Sequence, residues 1–258
     1  MLCLTIYFTL LSYNVHGLSA LIAQDHPRMR METIGPFLQD YPIVLIQEDF
    51  AYHRSLRRAV MPDLTFRGNE SRFGFFSFFL KPLCGTCGSG LTAFVRENTM
   101  FVPIVHGYGS FGSICSGWIR KKSDCWATKG FIWVKLLMKN GVEIAVYNLH
   151  LDAGTDKSDK KARKRQLHIV GDHIARHVPM QMPLIVAGDF NSNAEELEPF
   201  LTLCNLKEGF HHGIDHIFFH TSSRGSLTFI QGGDATGIPN LSDHRPIYAT
   251  FGITSFLP

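Results

Sequence analysis

Long apolar runs are missing from this 258-residue chain. No stretch reaches the roughly 18 residues that a membrane-crossing helix requires. The opening MLCLTIYFTLLSY is apolar but short, and it lacks a basic n-region and a small-residue cleavage site. It reads as a first strand, with the tail of a signal peptide as the alternative. Repeats, low-complexity tracts and linkers are also missing, which argues for a single domain over residues 1–258. A strong charge imbalance is absent. The formal net charge is +3 with 18% charged residues, which allows phosphate-bearing substrates or an anionic surface but demands neither. A second CxxC is missing too. Cys84 and Cys87 form one, but Cys115 and Cys125 do not make a matching knuckle, so zinc is the weaker reading. Disulfides among these four are expected if the protein is exported. Cys3 and Cys204 lie in apolar surroundings and read as buried thiols. A secreted or membrane-peripheral location is therefore slightly preferred to a cytoplasmic one.

What is present suits a globular protein with a sizeable core, because 45% of the residues are hydrophobic. Runs rich in β-branched and aromatic residues predict strands over 6–13, 43–47, 91–96, 131–138, 143–149, 184–187, 216–220 and 247–251. Asn140-Gly141 signals a hairpin between two of them. Helices are predicted over 26–38, 160–177 and 194–202, the last capped by Ser192 or Asn193. Strands interspersed with helices argue for a sheet core covered by helices.

Several strands finish on polar residues. LIVAGDFNS, residues 184–192, ends on Asp189 and Asn191. Alone, these could be ordinary turn residues. However, the first strand ends at Asn14 and His16, the second at Glu48-Asp49, and another at Asn148 and His150; Asp215-His216 and Ser242-Asp243-His244 follow later. Gathered at one sheet edge, such a cluster is costly to bury without a counter-charge. A hard divalent cation such as Mg²⁺ removes that cost, and histidines beside it move protons near neutral pH. The set suits attack of water on phosphorus.

SYNVHG, IQED, YNLHLDAG, AGDFNS, GIDHIFF and LSDHRPI, in that order, resemble the endonuclease/exonuclease/phosphatase superfamily across nearly the whole chain. The resemblance implies a DNase I-like fold, a four-layer α/β sandwich of two mixed β-sheets packed face to face with helices outside. It also implies roles. Glu48 would be the main Mg²⁺ ligand, with Asn14 supporting it and Mn²⁺ or Co²⁺ as substitutes. His244 would be the general base, oriented by Asp215, with Asp243 near the metal. Asp189 and Asn191 would position water and phosphate oxygens, and His150 would stabilise the transition state. His16 could stand behind Asn14. The segment CSGWIRKKSDCWATKGFIWVKL resembles neutral sphingomyelinases, in which an Asp and a Lys precede a Gly and a strand; Asp124 and Lys129 match, and Lys129 is implied to contact the phosphate. Without the family, that pair reads as a surface ion pair.

The expected substrate is sphingomyelin or a related phospholipid, met at a membrane surface by a monomer. A nuclease acting on DNA or RNA, and an idle binding module on the same fold, are the alternatives. The aromatic stretch Phe73–Phe79 reads as a buried strand pair before a lipid-inserting segment, and Gly107–Gly117 as a second candidate for a flexible lipid-contacting loop. The basic run 157–168 is expected to be mainly a solvated helix face, with anionic lipid or nucleic acid as its candidate ligands.

Overall fold

The computed structural model describes residues 4–68, 88–96, 100–116, 125, 127–222 and 225–255. Two mixed sheets of six strands form the centre. The first contains β1 (Leu4–Asn14), β2 (Ile43–Gln47), β3 (Leu64–Arg67), β4 (Thr92–Val95), β11 (Gly225–Asp234) and β12 (Ile247–Ser255), ordered β11-β12-β1-β2-β4-β3. The second contains β5 (Phe101–Ser110), β6 (Gly130–Met138), β7 (Glu143–His150), β8 (Leu184–Asp189), β9 (Lys207–His212) and β10 (Asp215–His220), ordered β5-β6-β7-β8-β10-β9. Each sheet holds one parallel pair at its centre, β1 with β2 and β7 with β8. A parallel pair needs a crossover, and helices supply both. The first passes through α1 (Ala20–Ala23), α2 (Pro27–Ile34) and a 3₁₀ turn (Gly35–Asp40); the second is α4 (Lys157–His177). Two further helices, α3 (His53–Val60) and α5 (Ala194–Cys204), complete the outer layers.

Three apolar clusters account for the four layers. Phe8, Leu10, Ile43 and Leu45 of one sheet meet Ile132, Val134, Val146 and Ile185 of the other between the sheets. The outer face of the second sheet packs Tyr147, Val186 and Phe218 against Val170 and Ile174 of α4 and Leu197 and Phe200 of α5. The outer face of the first packs Leu11, Tyr13 and Val44 against Met31, Ile34, Leu56 and Val60. Each strand in the middle of a sheet is therefore covered on both faces, which is why these strands read as near-continuous apolar runs.

Some expectations need correction. The helix expected over 26–38 stops as an α-helix at Ile34, because Pro36 opens a 3₁₀ turn instead. Asp156 caps α4 in a reciprocal box with Asp159, so that helix starts at Lys157, before the expected Lys160. Asn193, not Ser192, caps α5 by accepting from the Glu196 amide at 3.1 Å. Gly107–Ser110 is not a flexible loop: it is the end of β5, Tyr108 donates to the Thr128 carbonyl, and Phe111 is buried. The stretch after His220 is taken up by β11, and Phe229 packs on the inter-sheet core. Cys115 and Cys125 form a disulfide. Cys204 is half-buried, and burial pushes its thiol up to about 12. Cys3, Cys84, Cys87, Phe73–Phe79 and Asp124 lie outside the described residues. Among the described residues no helix is long and apolar enough to cross a membrane.

Candidate active site

Strand register builds the site. Asp189, the last residue of β8, lies opposite His150 at the end of β7 and opposite Asp215 at the start of β10. Residues level across adjacent strands share a face, so one imidazole and two carboxylates stand in a row. On the facing sheet, Asn14 ends β1 opposite Gln47, and the chain continues into Glu48. Both parallel pairs thus point their C-terminal ends at one edge, where polar groups meet across the sandwich.

The backbone is specialised here. Gly188 has φ +143°, and a Cβ there would lie 2.0 Å from the Leu149 carbonyl oxygen. Asn191 takes φ +49°, which Asn tolerates better than most residues. Glu48 takes φ +57°, and such a conformation persists only where its surroundings fix it. The Glu48 carbonyl accepts from the amides of Gly17 and Phe50. Gly17 is required for that approach, since a Cβ would sit 2.5 Å from the Glu48 oxygen. Between Asp189 and Asn191, the fully buried Phe190 packs edge-on against Phe218 at 5.1 Å and His216 at 5.5 Å. Burying such a ring contributes about 2–3 kcal/mol, which pins the loop to the core.

Asn14 donates to both Glu48 Oε1 (3.2 Å) and Asp189 Oδ2 (3.0 Å), joining the two sheets. The Asp189 Oδ1 atom accepts from the Asn191 amide at 2.9 Å, and the Asn191 side chain donates to the Leu151 carbonyl. His244 Nδ1 lies 2.6 Å from Asp215 Oδ2, while its Nε2 faces Asp189 at 3.8 Å. His150 is buried, with Nε2 3.5 Å from Asp189 and 4.0 Å from Glu48. Lys129 Nζ, also buried, donates to His150 Nε2 (3.1 Å) and to the Leu151 carbonyl (2.6 Å). His16 Nδ1 stands 3.5 Å from both Glu48 and Asp243. Among the described residues, the exposed Asp243 contacts the site through His16 and its neighbour Ser242, which donates to the Asn14 carbonyl, and its charge also acts on His244.

Electrostatics follow from burial and crowding. Burial, then the Asp215 carboxylate, push Asp189 up to about 7. Burial works against charge on His244, but the Asp215 hydrogen bond and the charges of Asp215, Asp189 and Asp243 outweigh it and raise the imidazole to about 9. His150 is driven well below its ordinary value by burial and by Lys129 and His244. It is therefore neutral at pH 7.

The donor set fits a hard dication. Glu48 Oε2 is buried and has no hydrogen-bond partner among the described residues. The His16 imidazole at 3.5 Å, raised above its ordinary value by Glu48, meets that oxygen only in part, so a cation there would lower the remaining cost. Asp189, Asp215 and His244 form a second group with donor atoms within 4.8 Å of one another. In that group His244 is already engaged by Asp215, so Glu48 is the better anchor.

Sequence reasoning missed several supports. Buried Arg30 donates to the carbonyls of Val15 and His16 and pairs with Asp25, fixing the turn after β1. Asp49 accepts from Thr92 and meets His53 at 2.5 Å, and Gln47 donates to Asn148 across the sheets at 2.7 Å. The i,i+4 spacing of Asp49 and His53 was the one local signal for these contacts.

The sequence matches the Endonuclease/Exonuclease/phosphatase family over residues 11–244. The chain belongs to this family. A protein named sphingomyelinase from Mycobacterium tuberculosis is 25% identical over 276 residues, covering 95% of this chain and 52% of that protein. The chain thus spans about half the length of the curated relatives it matches. Among solved structures, a Staphylococcus aureus beta toxin variant with bound magnesium ions aligns with TM-score 0.68 and 17% identity, covering 95% of this chain and 99% of that one. An endonuclease/exonuclease/phosphatase family protein from Bacteroides thetaiotaomicron aligns with TM-score 0.69 and 18% identity, covering 98% and 100%. At that identity the structural matches establish the shared fold, with its two six-stranded mixed sheets.

Proposed function

We propose that the protein is a Mg²⁺-dependent phosphodiesterase that hydrolyses sphingomyelin or a related phospholipid to phosphocholine and a lipid alcohol. The observation that carries the hydrolytic part is the His244–Asp215 pair facing Asp189 at 3.8 Å, with Glu48 joined to Asp189 through Asn14. The neutral form of His244, whose share grows as pH rises toward about 9, takes the proton of the attacking water at Nε2, while Nδ1–H donates to Asp215, which fixes the tautomer and stabilises the imidazolium. Asp189 and the Asn191 loop hold water and phosphate in line. The Lys129 ammonium, held by His150 Nε2 and the Leu151 carbonyl, supplies positive charge beside the phosphate as negative charge builds there. A new P–O bond forms to water, the bond to the lipid oxygen breaks, and that oxygen takes a proton from solvent to leave as the lipid alcohol, while His244 returns its proton to solvent. Glu48, with Asn14 and Asp189 behind it, would hold the cation. Bound there, Mg²⁺ would offset phosphate charge and favour departure of the alkoxide.

The lipid branch rests on Lys129. It reaches the site from the start of β6, as the likeness to sphingomyelinases implies, and the mycobacterial relative's name supports the same branch. The exposed residues Lys160, Lys161, Lys164 and Arg165 of α4 line a groove of about 910 Å³, and we assign them contact with anionic headgroups. The fold does not choose a substrate, so the test is a panel with Mg²⁺: sphingomyelin vesicles, phosphatidylcholine vesicles and supercoiled plasmid. Turnover confined to the choline lipids is expected. Plasmid nicking without lipid turnover would replace this reading with a nuclease.

A further inference from the structure

Three side chains on the far side of β10 from Asp215 do not belong to the site above. They are Glu208 and His211 of β9 and His216 of β10, with donor atoms all within 4.8 Å of one another. Register explains the meeting. His211 and His216 are direct cross-strand partners, and Glu208 pairs with Phe218, the next residue of β10 on the same face. The two imidazoles stack at 5.3 Å.

His216 is the informative member. Its side chain is 1% exposed, wedged between Phe190 and Phe218. Nε2 lies 3.0 Å from the Ser192 carbonyl, which can only accept, so Nε2 carries the proton. Nδ1 is then a bare lone pair. It is buried without a hydrogen-bond partner among the described residues and faces Glu208 Oε1 at 3.9 Å. A buried acceptor with nothing to accept is costly. Metal-bound imidazoles commonly show this arrangement, the second nitrogen donating to a backbone carbonyl while the first holds the ion. His211 Nδ1 already contacts Glu208 Oε1.

We propose that His216 Nδ1, His211 Nδ1 and Glu208 form a second, separate cation site, for a borderline transition-metal dication such as Zn²⁺. Two imidazole nitrogens and one carboxylate suit zinc, whereas Mg²⁺ prefers all-oxygen surroundings. Bonds of about 2.0–2.1 Å place tetrahedral ligands roughly 3.3 Å apart. His216 is fixed, and the exposed His211 and Glu208 rotate to close the set, with water in the fourth position. The ion would tie the edge strand β9 to β10. Through Ser192 it would also brace the loop that carries Asp189 and Asn191.

The test keeps the protein in excess Mg²⁺, so that the Glu48 site is not the one titrated, and adds Zn²⁺ to the wild type, His211→Ala and Glu208→Gln. Calorimetry should show one tight zinc equivalent in the wild type and at least tenfold weaker binding in each variant. Zinc-edge X-ray absorption of the wild-type complex should show two imidazoles, light-atom ligands and no sulfur. Both variants lie on an exposed edge strand, and circular dichroism checks their folding. The NMR shift of His216 in the wild type reads the same site without any substitution. Equal zinc binding in all three proteins, a sulfur ligand, or no His216 shift on zinc addition would overturn the proposal.

Discussion

Replacing Asp215 with Asn removes the charge that holds His244 while nearly preserving shape. In the wild type the two are 2.6 Å apart, and His244 is raised from an ordinary 6.5 to about 9. At roughly 1.4 kcal/mol per pH unit, that interval is about 3 kcal/mol of preference for the charged ring. Asp189 and Asp243 share in it, but Asp215 alone supplies the hydrogen bond. Because the imidazolium forms in the transition state, loss of most of this preference lowers kcat by roughly 10²-fold on the plateau above about pH 9, where His244 starts neutral in both proteins. Substrate binding should change little, since Asp215 stands behind His244. The assay is steady-state release of phosphocholine at saturating Mg²⁺, with the His244 titration followed by NMR in metal-free protein. The Asn variant should show a fall in kcat at near-constant KM and a His244 pKa back near its ordinary value. A kcat within about threefold of wild type, with the His244 titration shifted as expected, would refute the reasoning.

Other expectations follow from particular contacts. Arg163 is buried, forks onto both oxygens of Glu196 and donates to the carbonyls of Asp152 and Gly154. Arg163→Met should cost about 3 kcal/mol, at the low end for a broken buried pair because Glu196 keeps some access to water. By calorimetry Tm should fall roughly 6–12 °C; an unchanged Tm would discount the pair. Gly188→Ala forces a side chain into a strained φ and against Leu149, so it should cost at least about 1–3 kcal/mol and disturb the β7–β8 pairing. Chemical denaturation that matches wild type would contradict that. In EDTA, stability should fall as pH rises. Asp189 holds its proton to about 7 when folded but to 3.8 when unfolded, and His244 to about 9 against 6.5. The folded state therefore binds more protons through both windows, and each contribution is lost as pH climbs through the folded value. Mg²⁺ binds the deprotonated form, so the gap between Tm with Mg²⁺ and with EDTA should widen from about pH 4 to 9. A flat or narrowing gap would contradict the placement of charge.

The legibility of the fold follows strand position. All eight interior strands could be read from their apolar runs, within a few residues at their ends. The four that could not, β3, β5, β9 and β11, are the four sheet edges. Edge strands bond on one side only and tolerate residues that interior strands reject. Thus β5 carries Pro103 and two glycines, and β9, KEGFHH, has no apolar period. Helix α3 was hidden for a similar reason, since only Leu56 and Val60 of its eight residues are buried. At the site, the polar strand ends were visible because buried runs rarely finish on carboxylates without cause. The Gln47–Asn148 bridge was not, because its partners lie 101 residues apart and meet only by sheet stacking, and Arg30 was not, because a helix arginine reads as a solvent-facing charge until the turn after β1 folds against it.

The most direct test of the central claim is phosphocholine release from sphingomyelin vesicles by the wild type with Mg²⁺, the wild type with EDTA, and folded His244→Ala with Mg²⁺. Release by the first alone, with the other two lower by orders of magnitude, is the predicted result. Release that persists in EDTA or in His244→Ala, or none in any arm from folded protein, would contradict the account.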